Sequence, residues 1–260
     1  MAFESKGENY TVGKGCGYFN RLTRNGQYEG ERNLGNIVSM NVIVNMDKRN
    51  HYNNKGNHRY IDKSAIVEVT PKVSIELDEI TPENFALLFL ANVNEVKQDA
   101  TDLDTLTINN TLIKPGVVID LGKHFINAET FAVTSGTGET YTLGTDYRLD
   151  PKGGRLYILK NGAITGLEDI NVTYSLLEQG YKEMHSFLRS SIEGRFTYVS
   201  DNSSGNNFII EFWHVSFILN GNATLLTDRG EMMRIGLEGE IQEDKGHPDS
   251  PFGKITVIER

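Results

Sequence analysis

The sequence predicts a mainly β protein, a β-barrel or sandwich with one flanking α-helix and a small inserted β module. Residues 66–78 alternate strictly between apolar and polar side chains, and residues 233–242 alternate again. Between them, residues 105–175 contain short strand-like segments punctuated by glycine. Period-two alternation is the pattern of strands with one buried face. At 260 residues the chain can bury a core without disulfides or metals.

The first predicted element is a long hairpin. The apolar segment 37–45 predicts a strand, and after the polar stretch 46–62 the chain returns through residues 65–78. A polar connection of this length is functional more often than idle. We therefore predict a contact arm, with candidate contact residues Lys48, Arg49, His51, Tyr52, Lys55, His58, Arg59 and Tyr60.

The returning strand has one apolar and one polar face. Its predicted buried face consists of Val67, Val69, Val73, Ile75 and Leu77. Its predicted wet face consists of Glu68, Thr70, Lys72, Ser74, Glu76 and Asp78. Such a strand lies between a core and solvent.

A helix is predicted from Pro82 to about Val93. Thr81 is a suitable N-cap, Pro82 suits the first helical position, and Ile80 can pack against Phe85 across the helix start. The helix is apolar nearly all round, so we expect it to pack against a sheet or another subunit.

The middle of the chain predicts a separate module. Residues 105–175 form it, inserted into a larger β-domain made of residues 1–104 and 176–260. Within the module, residues 150–154 have the composition of a hairpin turn.

The C-terminal part predicts longer strands again. Residues 208–219 are apolar on both faces, which indicates a central strand or a subunit interface. Residues 233–242 predict a half-buried strand, and the region of Ile255 and Val257 predicts the last one. Candidate interface residues are Phe85, Leu88, Phe89, Phe212, Trp213 and Phe217.

Composition argues against several protein classes. The chain has 35 acidic and 26 basic residues, a net charge of −9, whereas tight nucleic-acid binding needs a Lys/Arg patch. Cys16 is the single cysteine, so no internal disulfide is possible. The start of the chain lacks a signal peptide pattern, and no apolar run is long enough to cross a bilayer. We expect a soluble protein without a membrane partner.

No motif in the sequence predicts catalysis or a cofactor. Residues 13–17 resemble a phosphate-binding loop but lack its Lys-Ser/Thr ending. His51 and His58 flank a polar loop without obvious partners, which favours solvated histidines over a zinc site. Glu238 and Glu240 share one strand face, and such pairs are more often wet surface than an acid/base pair. We predict no enzyme, cofactor or metal.

The chain resembles the major tail tube protein of long-tailed, siphovirus-type bacteriophages. The resemblance covers nearly the whole chain. The matching stretches are residues 7–15 with Tyr18 and Phe19, 30–36, 67–78, 80–90, 236–240 and 247–253, with 144–147 and 154–159 in the middle.

The resemblance implies a virion protein of the phage tail, assembled in the host bacterial cytoplasm, and no catalytic residues. Copies would form rings of six, and stacked rings would make the channel for duplex DNA, which passes without specific binding. The tape measure, tail terminator and tail tip proteins would be further partners. The arm would reach a neighbouring ring.

The resemblance also implies an electrostatic role for the channel wall. Six copies of a −9 chain carry −54 per ring, and duplex DNA carries a negative charge about every 1.7 Å. An acidic wall would repel the DNA and prevent sticking, while Lys72 and Arg234 would reduce repulsion between neighbouring strands. Each candidate wall residue could equally face outer solvent: Glu68, Glu76, Asp78, Glu238 and Glu240.

Three other interpretations stay open at this point. The chain could be another tube or hub component of a phage tail or secretion machine. It could be a monomeric carbohydrate-binding β-sandwich, although that function needs an exposed aromatic platform and the single Trp213 lies in an apolar strand. A hydrolase with scattered site residues is the third.

Overall fold

A computed structural model describes residues 11–53, 55, 58–218, 221–228 and 230–258. Strands make up 55% of the structure and helices 4%, which confirms the prediction of a mainly β fold. The chain divides into two compact units. The first joins the chain up to Val93 with the chain from Met184 onward, and the second is Asn94–Glu183.

The elements are numbered in chain order. They are β1 (Gly15–Leu22), β2 (Tyr28–Asn33), β3 (Ile37–Asn53), β4 (Tyr60–Leu77), α1 (Pro82–Leu88), β5 (Asn92–Gln98), β6 (Asp104–Ile108), a 3₁₀ turn (Asn110–Leu112), β7 (Val118–Asp120), β8 (Ala132–Ser135), β9 (Tyr147–Asp150), β10 (Arg155–Ile158), β11 (Ile170–Tyr174), β12 (Gln179–His185), β13 (Ser191–Ser200), β14 (Asn207–Ile218), β15 (Asn222–Thr224), β16 (Arg234–Gln242) and β17 (Gly253–Ile258).

The first unit is built on one nine-stranded sheet with antiparallel pairings. The strand order is β2-β1-β13-β14-β16-β4-β3, and β15 and β17 pair with β16 and β14. Strand β14 pairs with β13 along one edge and with β17 and then β16 along the other. The prediction of a central strand over 208–219 is therefore confirmed for its described residues.

The core of the first unit lies on one face of this sheet, under α1. In β1, a Cβ added at Gly17 would lie 2.5 Å from Ile37 Cδ1 in β3, so distant parts of the strand order approach each other. The sheet therefore curls around its core. Fully buried members include Phe19, Leu34, Val73, Ile75, Leu77, Phe196, Phe217, Ile235 and Leu237.

The helix begins as predicted but ends earlier. Thr81 Oγ1 accepts a hydrogen bond from Asn84 N at 3.1 Å, which is the expected N-cap. The helix ends at Leu88 instead of near Val93, because Leu90 adopts a left-handed conformation with φ 46° and the chain enters β5 at Asn92. The predicted end was wrong by about one turn.

The hairpin of β3 and β4 is longer than predicted. The two strands pair from Ile37–Leu77 to Asn53–Tyr60, so most of the predicted polar loop 46–62 is strand. The prediction of a buried face on β4 is correct only near the base of the hairpin. Farther out, Val67 and Val69 are 54% and 42% exposed. These two residues lie in the part of the hairpin that projects beyond the core.

The second unit has its own core between two three-stranded sheets, β7-β10-β9 and β6-β11-β8. Its fully buried residues include Val133, Leu156 and Val172. Strands β5 and β12 pair with each other, so the segments flanking the predicted module 105–175 belong to this unit and widen it to Asn94–Glu183.

The turn predicted over 150–154 connects β9 and β10. The Asp150 carboxylate accepts from the backbone N–H groups of Lys152 and Gly153 at 3.2 and 3.1 Å. Gly154 has φ 64°, a conformation that favours glycine.

Candidate functional site

The outer part of the β3–β4 hairpin is exposed along nearly all of its described length. We call residues 44–53 and 60–70 the arm. Almost every described side chain in the arm is exposed on both faces. At the base of the hairpin, by contrast, Val73, Ile75 and Leu77 are buried. The arm therefore projects beyond the core that holds its base.

An apolar stripe runs along one face of the hairpin, from Val42 into the arm. Cross-strand pairing places Val42 opposite Val73, Val44 opposite Pro71, and Met46 opposite Val69. Directly paired residues share a face, so these side chains continue the core-facing side of the sheet. We define the apolar stripe as Val42, Val44, Met46 and Val69, which are between 42% and 53% exposed. Beyond a bulge in the pairing, Ile66 and Val67 are exposed as well.

Pro71 marks the point where the arm leaves the sheet. Strand β16 pairs with β4 from Leu77 to Lys72 and no further. Beyond Lys72, β4 has β3 as its one neighbour in the described part of the chain. Proline lacks the N–H that a central strand needs. In the sequence, this proline indicates the point where β4 loses its second neighbouring strand. The sequence analysis did not use that indication.

The tip of the arm is organised by side-chain contacts. His51 Nδ1 lies 2.6 Å from Asp62 Oδ1, so this histidine has the carboxylate neighbour that the sequence did not reveal. The Arg59 guanidinium lies 4.3 Å from the centre of the Tyr52 ring. Both contacts lie at the surface, outside the core of the first unit.

All eight predicted contact residues lie in or beside this tip, and all are exposed. Lys48, Arg49, His51 and Tyr52 are on β3, Tyr60 is on β4, and Lys55, His58 and Arg59 lie between the strands. Residues 47–63 contain five Lys or Arg and two Asp, a local charge of +3 in a chain of −9. The tip is thus basic on an acidic protein.

The five predicted wall acids lie on one side of the sheet, which we call the polar face. Strand alternation places Glu68 and Glu76 along β4, with Asp78 directly after its end, and Glu238 and Glu240 along β16, on the side opposite the core. The structure thus places these residues on one face.

Two basic residues neutralise part of the polar face. Lys72 Nζ lies 3.1 Å from Glu238 Oε1 and 3.7 Å from Glu240 Oε1. Its hydrogen bond with Glu238 raises the pKa of Lys72 above its ordinary value. Arg234 Nη1 lies 3.3 Å from Glu76 Oε1. The face keeps an excess of acid because five predicted acids meet two bases.

The predicted interface residues on β14 are already covered by their own subunit. Phe217 is 1% exposed and packs against Phe19, and Phe212 is also buried. Leu88 of α1 is buried in the same core. The interface prediction is therefore corrected for these side chains, because they have almost no surface left for another molecule.

Trp213 is buried too. Its ring stacks on His247 with ring centres 4.1 Å apart, and the Arg195 guanidinium lies 4.7 Å from the ring centre. Its Nε1 donates to Ser250 O at 2.9 Å. Because both stacking and hydrogen bonding are satisfied within the chain, this tryptophan offers no platform for a sugar.

Phe85 and Phe89 remain partly accessible. Their rings stack 5.8 Å apart, and the exposed Phe187 meets Phe89 edge-on at 5.9 Å. The contribution of Phe187 could not be read from the sequence, because Phe187 is distant along the chain.

The described residues contain no group of three His, Cys, Asp or Glu side chains arranged to hold a metal ion. In the same part of the chain, no helix combines the length and apolar character needed to cross a membrane. Two surfaces distinguish the described part of the chain: the arm with its apolar stripe, and the polar face.

A family model described as "Protein of unknown function UCP028589" matches residues 10–256, nearly the whole chain. No curated protein matches the chain.

Proposed function

We propose that this chain, which belongs to the family described as "Protein of unknown function UCP028589", is a structural subunit that assembles with copies of itself into a tube. In this proposal, rings of six copies stack into the tail tube of a long-tailed bacteriophage, and duplex DNA passes through the channel. The observation that carries the proposal is the apolar stripe on the arm, supported by the sequence resemblance to tail tube proteins.

The apolar stripe favours self-association because the subunit leaves it in water. Covering a half-exposed aliphatic side chain gains on the order of 1 kcal/mol, and the stripe has four such side chains, Val42, Val44, Met46 and Val69. Exposed apolar surface of this kind marks interaction sites. A second copy of the chain could cover it with the same type of strand surface.

The backbone of β3 supports the same conclusion. Strand β3 ends the strand order of the sheet, and in the described ranges it pairs with β4 alone. A long unpaired edge is a template for strand addition. Pairing between subunits would close this edge while covering the apolar stripe.

Charge complementarity favours another copy as the partner. The arm tip is basic, with a local charge of +3, whereas the rest of the chain carries −12. A basic tip on an acidic body is attracted to the body of a neighbouring copy. In a stack of rings, the tip would contact the next ring.

The polar face then suits a channel wall. It is hydrophilic along β4 and β16, and its acids outnumber Lys72 and Arg234. A net negative wall repels phosphates and therefore does not retain the DNA. The partial pairing limits repulsion between neighbouring carboxylates.

The direct test is negative-stain electron microscopy of the purified full chain over a range of concentrations. We expect hollow rods of uniform diameter with a regular axial repeat. A protein that remains a single copy at high concentration would overturn the proposal.

The channel wall has its own test. Rods are assembled with short duplex DNA present, from the wild type and from the double variant Glu238→Lys/Glu240→Lys. Wild-type rods should exclude the DNA and the variant rods should retain it. The control is Glu129→Lys/Glu139→Lys, which makes the same charge change at exposed positions of the second unit. Equal exclusion by all three proteins would contradict the acidic wall.

A further inference from the structure

A cleft in the first unit gathers arginine side chains that the proposed tube does not use. It has a volume of about 370 Å³ and lies between the end of β1 and the segment that leads into β13. Its lining includes Thr23, Arg24, Arg189, Ser190 and Ser191. Arg21 lies close enough to repel Arg189. Sequence reasoning could not find this cluster, because its members are far apart along the chain.

Two guanidinium groups in this region have unused donors. Nε of Arg21 and Nε of Arg189 are shielded from solvent, and neither has a hydrogen-bond partner among the described residues. Arg21 Nη2 does donate to Asn92 Oδ1 at 3.2 Å, which fixes that side chain. A buried N–H without a partner is unfavourable and calls for an acceptor.

The charges around the cleft point to an anionic acceptor. Burial lowers the pKa of Arg189 from its usual value, and the positive charges of Arg21 and Arg24 lower it further. Glu29 has the opposite effect. Three arginines crowd together here, and an anion between them would relieve their repulsion.

Glu193 also lines the cleft, but its carboxylate has partners elsewhere. Its Oε1 accepts from Ser191 Oγ at 3.3 Å, and its Oε2 lies 3.3 Å from His214 Nε2. His214 Nε2 is not oriented for a hydrogen bond at that distance. Glu193 does not supply the acceptor for the Nε groups, because neither Arg21 Nε nor Arg189 Nε has a hydrogen-bond partner in the described part of the chain.

We propose that this cleft binds an oxyanionic group, a phosphate or a carboxylate, through the guanidinium groups of Arg189 and Arg24, with the positive charge of Arg21 beside them. The planar guanidinium matches the oxygen spacing of both groups and forms charge-assisted hydrogen bonds with them. Thr23 and Ser190 supply hydroxyl groups beside the arginines. The group is either free in solution or a carboxylate of a second copy of the chain.

The test is equilibrium dialysis of inorganic phosphate against the full chain, at fixed ionic strength and at a chain concentration where sedimentation shows single copies. We expect saturable binding of about one phosphate per chain, and binding at least about tenfold weaker, ~1.4 kcal/mol, in Arg189→Gln. The control Arg148→Gln removes the same charge from an exposed position in β9 and should bind like the wild type.

Circular dichroism checks that each variant is folded. If Arg189→Gln does not fold, Arg24→Gln takes its place, because Arg24 is exposed and its loss leaves no gap in the core. Absence of saturable binding to the wild type would overturn the proposal, and so would equal losses in the arginine variant and its control.

A second arm identifies the source of the oxyanion. If phosphate disperses assembled wild-type protein more than chloride does at equal ionic strength, the cleft holds a carboxylate of a second copy. If phosphate binds and assembly is unchanged, the ligand is a free oxyanion. The dialysis result stands whether or not rods form, so failure of the tube proposal is distinguishable from failure of this one.

Discussion

The base and the arm of the β3–β4 hairpin share two strands and one pairing pattern, yet they differ in what covers them. At the base, β16 lies beside β4 and the core covers Val73, Ile75 and Leu77. In the arm, the same face carries Val44 and Met46 into solvent. The alternation of side chains therefore assigns residues to a face, and the neighbouring elements decide whether that face is buried.

This difference suggests two uses for one strand pattern. The base stabilises the folded first unit, and in the proposed assembly the arm would offer its apolar surface to a second copy. Substitutions at the two ends of the hairpin should consequently have separate effects, on unfolding at the base and on assembly in the arm.

The largest effect on folding is expected at the base. Leu77→Ala removes a fully buried side chain and should lower the free energy of unfolding by about 2–5 kcal/mol. Val44→Ala on the arm should change it by less than about 0.5 kcal/mol. Urea unfolding of the dispersed protein measures both, and equal losses would show that the arm is part of the folded core.

A polar site in the second unit should have the next largest effect. The Asp146 carboxylate accepts from the backbone N–H groups of Thr142 and Ala163 at 2.7 and 2.8 Å. Asp146→Ala leaves both donors without this acceptor and should cost about 1–3 kcal/mol of unfolding free energy. Asp47→Ala on the exposed arm is the control and should have little effect.

The same carboxylate predicts a pH dependence. These backbone hydrogen bonds lower the pKa of Asp146 below its ordinary value, which is about 3.9. A group with a lowered folded pKa stabilises the fold above its unfolded pKa and loses that contribution as the pH falls through the folded value. The free energy of unfolding of the wild type should therefore decrease below about pH 4, and more steeply than that of Asp146→Ala. Parallel pH profiles would refute this role.

A smaller effect is expected at the helix cap. Thr81→Ala removes the hydroxyl that caps α1 and should cost about 0.5–2 kcal/mol. Thr70→Ala makes the same chemical change where the hydroxyl donates to the exposed Glu68, and it should be nearly neutral. Chemical unfolding of the pair tests whether polar contacts in the arm contribute to folding.

Sequence reasoning succeeded where the deciding interactions are local. Thr81 and Pro82 define the start of α1 within one turn of chain, and residues 150–154 contain their own turn chemistry. It failed where distant residues decide. The exposure of Val67 and Val69 depends on where β16 stops, and the arginine cluster depends on the approach of β1 to residue 189. The helix end is a local failure instead, because Leu90 takes a left-handed conformation that its residue type does not predict.

The candidate site was predicted only in part, and the reason is the same. The alternation along β4 and β16 placed the acidic residues on one face, which the structure shows. The apolar stripe was missed, because its members Val42 and Val44 look like core residues in a strand of ordinary length. Pro71 alone indicated that the sheet loses a strand at this point.

The central claim is that another copy of the chain covers the apolar stripe. Val44→Asp places a charge on the stripe, and Asn45→Asp places the same charge on the opposite face of the arm, one residue away. The free energy of unfolding of each variant should lie within about 0.5 kcal/mol of the wild-type value, since both positions are exposed.

Sedimentation velocity over a concentration series is the measurement that tests this claim most directly. The account predicts that the wild type and Asn45→Asp assemble, whereas Val44→Asp remains a single copy at the same concentrations. Assembly of Val44→Asp to the same extent as the wild type would contradict it.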